Sequence, residues 1–340
     1  MRLAGALASL LFLQFAVAAP TAAQQNAPLD NAPSPVRIEA QPIRSFSARE
    51  PERTRFGALE FLGGLVLESE DKRFGGLSGI RFLSDDEFLA VNDRGRWLRA
   101  RLVSDGNRPV RVDQSTIAPM LDGNGVPLSD GNSFDTESIA LGEGGDVYVG
   151  IERVHRLVRY DFGKRGFASR ARNVELPAAT RDLPRNAGIE GLVFVPRDRP
   201  LGGTLIAFTE RGLDKGGNLR AFLIGGPSPG EFSVRRSNDF DITDAALVPG
   251  GDVLILERYF SWLGALKMRI RRIALADIKP GATVDGPVLL EADGGYEIDN
   301  MEGIDVQRSA GGEMLVTVIS DNNFFGLQRT LLLRFALAED

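Results

Sequence analysis

Short apolar runs recur along the chain, separated by Gly, Pro, Asp and Asn, and no helical period is sustained outside the first residues. The runs are rich in Val, Ile, Leu and Phe, a composition that predicts strands and turns. They come in pairs: GGLSGIRF with EFLAVNDR, DTESIAL with DVYVGIER, GIEGLVFV with TLIAFTER, ITDAALV with DVLILER, and NMEGIDV with EMLVTVISDN. A third strand follows each pair (LRARLV, HRLVRYDF, LRAFLIG, MRIRRIAL, LLLRFAL), and a fourth follows in four of the five units.

Aligned on Ser78, Glu137, Glu190, Asp244 and Glu302, the units repeat at intervals of 59, 53, 54 and 58 residues. Four-stranded units near this period predict an all-β chain folded as a β-propeller. The fifth unit shows only three strands, while Ala58–Ser69 has no unit of its own. That N-terminal stretch is expected to close the last blade as its outer strand, which would remove the open edges of the ring. Residues 36–47 hold one more strand, which leaves the count at five or six blades.

The first strand of a propeller blade runs nearest the axis. The aligned residues would therefore ring one channel mouth. A second set ends the next strand: Asp93, Glu152, Glu210, Glu257 and Asp321, with Arg94, Arg153, Arg211, Arg258 and Asn322 beside them. Antiparallel pairing brings both sets to the same end. Nine acids then face four arginines, and so many carboxylates cannot all stay ionised without compensation. Arginine ties between blades are one remedy. A hard cation is another, and Ca²⁺ takes six to eight oxygen ligands. Tyr259, Phe260, Trp262, Phe324 and Phe325 follow strand ends at the same mouth and would either line a ligand or pack the loops. The acidic, Gly-rich stretch 121–135 has some likeness to a calcium loop and is expected to be a surface loop over the mouth.

Composition narrows the chemistry. The chain has 340 residues, a net charge of −6, no Cys and a single His. Thiolate chemistry and disulfides are excluded, soft metals lack ligands, and the acidic balance with no basic run argues against nucleic acid. His155 is the only histidine available to a Ser-His-Asp triad, and GGLSG around Ser78 matches a nucleophile elbow poorly. Met1-Arg2 followed by an apolar stretch to Val17 and small residues to Ala23 reads as a signal peptide over 1–23, with a polar, disordered lead-in over 24–35 and a single domain over 36–340. The apolar stretch is shorter than a membrane span needs. A periplasmic or secreted protein follows, and it is expected to be a monomer.

The series LSGIRF…FLAVNDRG, TESIAL…VYVGIER, NAGIEGLVFVP…FTERG and NMEGIDV…ISDNNF resembles the bacterial phytase-like family, "esterase-like activity of phytase", over about residues 55–338. The resemblance implies an exported propeller that hydrolyses a phosphoester or carboxylester, with Ca²⁺ as the implied cofactor and a small anionic or ester substrate. Its acidic motif falls on Glu137, Glu190, Glu302 and Asp244, although Asp244-Ala245 departs from the E-G pattern. On this reading Glu137, Glu190, Asp244 and Glu302 hold the metal. Glu152, Glu210 or Glu257 is the general base, and Arg94, Arg153, Arg211 or Arg258 clamps the substrate. The competing expectations are a non-catalytic ligand- or partner-binding propeller and a structural propeller with a calcium plug.

Overall fold

The computed structural model describes residues 32–130, 134–185, 188–261 and 264–338. Their strands gather into five sheets, one per sequence unit. Blade 1 holds Leu77–Phe82, Glu87–Asn92, Arg96–Asp105 and Arg108–Pro119. Blade 2 holds Thr136–Leu141, Val147–Ile151, Arg156–Tyr160 and Arg172–Val174. Blade 3 holds Ile189–Phe194, Thr204–Leu213, Leu219–Gly225 and Gly230–Val234, and blade 4 holds Asp241–Leu247, Val253–Phe260, Leu266–Ile273 and Val288–Asp293. Blade 5 holds Met301–Arg308, Met314–Ser320 and Thr330–Leu337. Each innermost strand packs against those of the two neighbouring blades, the fifth against the first, so the sheets form a five-bladed propeller. The expected signal peptide lies outside the described residues. Ser34 and Pro35, at the end of the expected lead-in, pair with the outer strand of blade 1.

The ring closes as the unpaired N-terminal stretch predicted. Leu59–Glu68 runs antiparallel to Thr330–Leu337 as the fourth strand of blade 5, and Glu39–Ile43 adds beyond it. Both N-terminal strands thus belong to the fifth blade, and the count is five.

Five apolar layers, one per blade interface, form the core. Leu89, Val91 and Trp97 of blade 1 meet Ile139 and Val149 of blade 2, and Phe208 and Ile206 of blade 3 meet Ile255 and Ile242 of blade 4. Strands covered on both faces read as continuous apolar runs, which is why LSGIRF and MLVTVIS are buried throughout while the outer strand Arg108–Pro119 mixes buried and exposed positions.

The innermost strands share one irregularity near their first residues. The pairing register slips between Leu77 and Gly79, Ile189 and Gly191, Ile242 and Asp244, and Met301 and Gly303, and in blade 2 between Gly150 and Ile151 of the partner strand. One residue per blade is left without a partner: Ser78, Glu137, Glu190, Thr243 and Glu302. A bulge of this kind re-aims a side chain, and here it turns the bulged residue toward the mouth.

Below the mouth, Arg81 reaches from blade 1 across the axis. Its guanidinium pairs with both oxygens of Asp244 in blade 4 at 2.9 and 3.0 Å and donates to the carbonyls of Leu192 in blade 3 (3.0 Å), Ala245 in blade 4 (2.7 Å) and Ile304 in blade 5 (2.7 Å). Asp244 also accepts from the amides of Ala245 and Ile304. Both side chains are buried, so the axis is stoppered and the mouth above is a cup.

Candidate functional site

The second strand of each blade ends level with the bulge. There the amides of Asp93, Glu152, Glu210 and Asp321 bond to the carbonyls of Gly76, Asp135, Gly188 and Asn300, each just before an innermost strand. This shared bond identifies four equivalent positions, and the blade-4 register puts Arg258, opposite Asp241, at the fifth. Two rings therefore face the cup. One is Ser78, Glu137, Glu190, Thr243 and Glu302, and the other is Asp93, Glu152, Glu210, Arg258 and Asp321.

Two expected site residues fall outside these rings. Asp244 occupies the register place that Gly79, Gly191 and Gly303 hold in other blades. Its carboxylate points down the axis into Arg81, so it is not among the acids of the mouth. Glu257 sits one residue before the ring position, and a slip of one residue turns a strand side chain to the opposite face. It is wholly buried between Arg269 (2.7 Å) and Arg271 (2.6 Å), with every oxygen bonded, and has no access to the cup as a base.

The remaining acids converge. Ligand oxygens of Asp135, Glu137 and Glu152 lie within 4.8 Å of one another, and so do those of Glu152, Glu190 and Glu210. Glu152 is common to both sets. Asp135 was not singled out by the repeat, because it lies at the end of the Gly-rich loop before blade 2 and not at a repeated strand position. Its left-handed backbone (φ +67°) turns it inward, and Arg153 holds it at 2.6 Å.

Arg258 neutralises the blade-5 side. It donates to Glu302 and Asn300 and to Glu210 at 3.2 Å. Arg211 is anchored mainly on Asp241 at 2.6 Å, with Glu210 at 3.4 Å. Arg94 is exposed and forms no ion pair among the described residues, and its guanidinium lies 3.3 Å above the ring of Phe324. Phe324 is fixed by its own loop. Asn322 Oδ1 accepts from the amides of Gly76 (3.0 Å) and Phe324 (3.1 Å), and Asn323 and Phe324 both adopt positive φ, which is costly for such residues. A side chain at Gly76 would collide with Phe324 and with Asp93 Oδ1, which explains the glycine. From Arg94, Asn322 and Phe324 a cleft of about 700 Å³ runs outward between blades 5 and 1, with the half-exposed Phe325 on its wall. Trp262 lies outside the described residues.

Crowding and burial move the carboxyls in one direction. Desolvation, reinforced by neighbouring carboxylates, raises Asp93, Glu152 and Asp321 to about 7. Glu302 also reaches about 7 through burial, against the pull of Arg258. Glu137 and Glu190 are pushed well above the ordinary range, again by burial first and by the surrounding carboxylates second. Two oxygens, Asp93 Oδ1 and Glu302 Oε2, are buried with no hydrogen-bond partner. Ser78 Oγ donates to the Gly76 carbonyl, and His155 Nδ1 is buried without a partner in the turn after blade 2's second strand, so no serine–histidine relay is assembled from them.

Among solved structures, the chain is similar to virginiamycin B lyase from Staphylococcus aureus (11% identity, 84% of this chain and 87% of that one, TM-score 0.39). It is also similar to the WD40 β-propeller domain of Doa1 (10% identity, 84% and 99%, TM-score 0.39). No curated protein matches it. The family model of phytase-like proteins, described as esterase-like activity of phytase, matches residues 72–324, from just before blade 1 to Phe324 on the mouth, and the chain belongs to that family.

Proposed function

We propose that the cup hydrolyses a phosphoester with the help of a hard divalent cation. The observation that carries this reading is the pair of carboxylate sets joined at Glu152, which no arginine fully neutralises. The residues fit such an ion: the donors are all oxygen, burial first and neighbouring carboxylates second push the pKa values of Glu137, Glu152 and Glu190 up, and the nearby Glu302 Oε2 and Asp93 Oδ1 are buried without partners. Glu152 would hold it together with Glu190 and Glu210, or with Asp135 and Glu137, and Ca²⁺ is the ion that suits these donors. A cation held there would polarise the ester or phosphoryl oxygen and lower the pKa of a bound water.

The chain's own residues supply the rest. Arg94, which makes no ion pair among the described residues and lies over the Phe324 ring, binds the anionic oxygens of the substrate through its forked donors. Asp93, next to Arg94 and raised to about 7 by burial, would take a proton from the attacking water and return it to the leaving alkoxide. Export belongs to the same proposal and rests on the leader-like residues 1–23, with the mature N-terminus by mass spectrometry as its check.

The test is hydrolysis of p-nitrophenyl phosphate, phytate and p-nitrophenyl acetate in Ca²⁺ and in chelator. Phosphoester turnover lost in chelator, and lowered roughly 100-fold or more in Glu190→Gln with an unchanged fold, is the expected result. Turnover of the carboxylester alone would replace phosphoester by acyl ester. Tight substrate binding with no turnover of any of the three would make the protein a binder.

A further inference from the structure

The interface between blades 5 and 1 carries a second feature at the opposite end of the blades from the cup. Pairing register sets Asp305, Thr317 and Arg334 in one row across blade 5, and Gln307 and Leu315 in the next row on the same face. That face packs on blade 1, where propeller interfaces are otherwise apolar. Arg334 is 3% exposed, yet forms no ion pair among the described residues. Its bonds go only to Thr317 Oγ1 (3.2 Å) and Ser104 Oγ (3.5 Å), and its guanidinium stands 5.1 Å from the Phe82 ring. Arg334 Nη2 is buried with no partner. So is Gln307 Oε1, whose amide nitrogen is committed to the Asp85 carbonyl. Both residues line one cleft of about 370 Å³ between the blades, together with Ser104 and Asn107.

A buried guanidinium that makes no ion pair is expensive, and an orphaned donor and an orphaned acceptor in one cleft call for a common partner. Asp305 favours the charged guanidinium from a distance but does not pair with it: its carboxylate is bonded to the amide of Phe82 at 2.7 Å, and no ion pair joins it to Arg334. Asp86, on the cleft wall, is already paired with Arg101 at 2.8 Å. We propose that this cleft binds a small oxyanion that carries a proton, such as hydrogen phosphate or bicarbonate, with Arg334 Nη2 donating to an anionic oxygen and Gln307 Oε1 accepting the acidic hydrogen. Sulfate, which has no proton to offer at neutral pH, leaves Gln307 unpaired and binds roughly tenfold more weakly, the size of one lost buried hydrogen bond. Burial lowers the pKa of Arg334 to about 10, which leaves it charged at neutral pH.

The experiment is isothermal titration and thermal shift of the full chain with inorganic phosphate, bicarbonate and sulfate at matched ionic strength. Because phosphate can also enter the cup, Arg94→Met is titrated beside Arg334→Met. Saturable phosphate binding that persists in Arg94→Met, is lost in Arg334→Met and is weaker for sulfate is the expected result. Gln307→Glu, at a partly exposed position, is the second variant. It places a negative charge at the acceptor and is expected to abolish phosphate binding should Arg334→Met fail to fold. A phosphate response that is absent in the wild type, unaffected by both cleft variants, or lost with Arg94→Met overturns the proposal and leaves the cleft to ordered water.

Discussion

At the cup, Arg258 and the acids around it decide one another's charge. Arg258 is the only ring position that is basic, and it ties Glu302 to Glu210 across two blades. Removing one partner of such a buried set leaves uncompensated charge, so Arg258→Met is expected to cost about 3–5 kcal/mol in urea unfolding. The acids themselves oppose folding near neutral pH. Asp93, Glu152, Glu302 and Asp321 have folded values of about 7 against ordinary values of 3.8 and 4.5. Over that window the folded chain holds more protons than the unfolded one. The contribution of these four acids to stability is therefore fully present below about pH 4 and is lost as pH rises through about 7. In chelator the melting temperature should fall between about pH 5 and about pH 8, and Ca²⁺ should flatten the fall by replacing the protons. A melting temperature that does not change with pH in chelator would mean that the arginines already balance the cup.

The strands explain both what the sequence displayed and what it hid. Five pairs of apolar runs ending in acids were enough to read the propeller, because period and strand composition are local signals. The closing strand was legible for the same reason: an apolar stretch lacked a unit and a unit lacked a strand. What local pattern could not resolve was a single-residue slip. Asp244 and Glu257 look like ring acids only if blade 4 is aligned on its nearest carboxylates. Ile242-Thr243-Asp244 set against Ile189-Glu190-Gly191 carries the true register, with Thr243 at the bulge. Asp135 stayed hidden because a loop, not a repeat, delivers it. Closure depends on a similarly fine fit. A Cβ on Gly64 would lie 2.6 Å from Leu333 Cδ2 and 2.9 Å from the Leu332 carbonyl, and backbone in a paired strand cannot withdraw. Gly64→Val should destabilise the ring by roughly 1–3 kcal/mol, seen as a lower urea midpoint. An unchanged midpoint would show that Leu59–Glu68 is dispensable to closure.

For the whole molecule, the contact that matters most joins residues 163 positions apart, too distant for any repeat to reveal. Arg81 and Asp244 lie on the axis, and the guanidinium collects carbonyls from three blades besides its own. Two consequences follow. The channel has a floor, so a solute that enters the cup leaves by the same mouth, and the carboxylates above are screened from the other end of the ring. The blades are also coupled through one ion pair, with Asp244 standing where three other blades place glycine. If the pair acts mainly by avoiding a buried lone charge, Arg81→Met should cost about 3–5 kcal/mol, while Arg81→Met with Asp244→Leu should recover much of the loss, because an apolar pair of similar volume replaces both charges. If instead the guanidinium's bonds to the blade carbonyls hold the ring, the double variant stays as unstable as the single one, since those acceptors remain unpaired in both. Denaturant unfolding of the three proteins separates the two. The carbonyl bonds run to three blades and the carboxylate to one, so we expect only partial recovery in the double variant, with cooperativity of unfolding reduced when the axis is apolar.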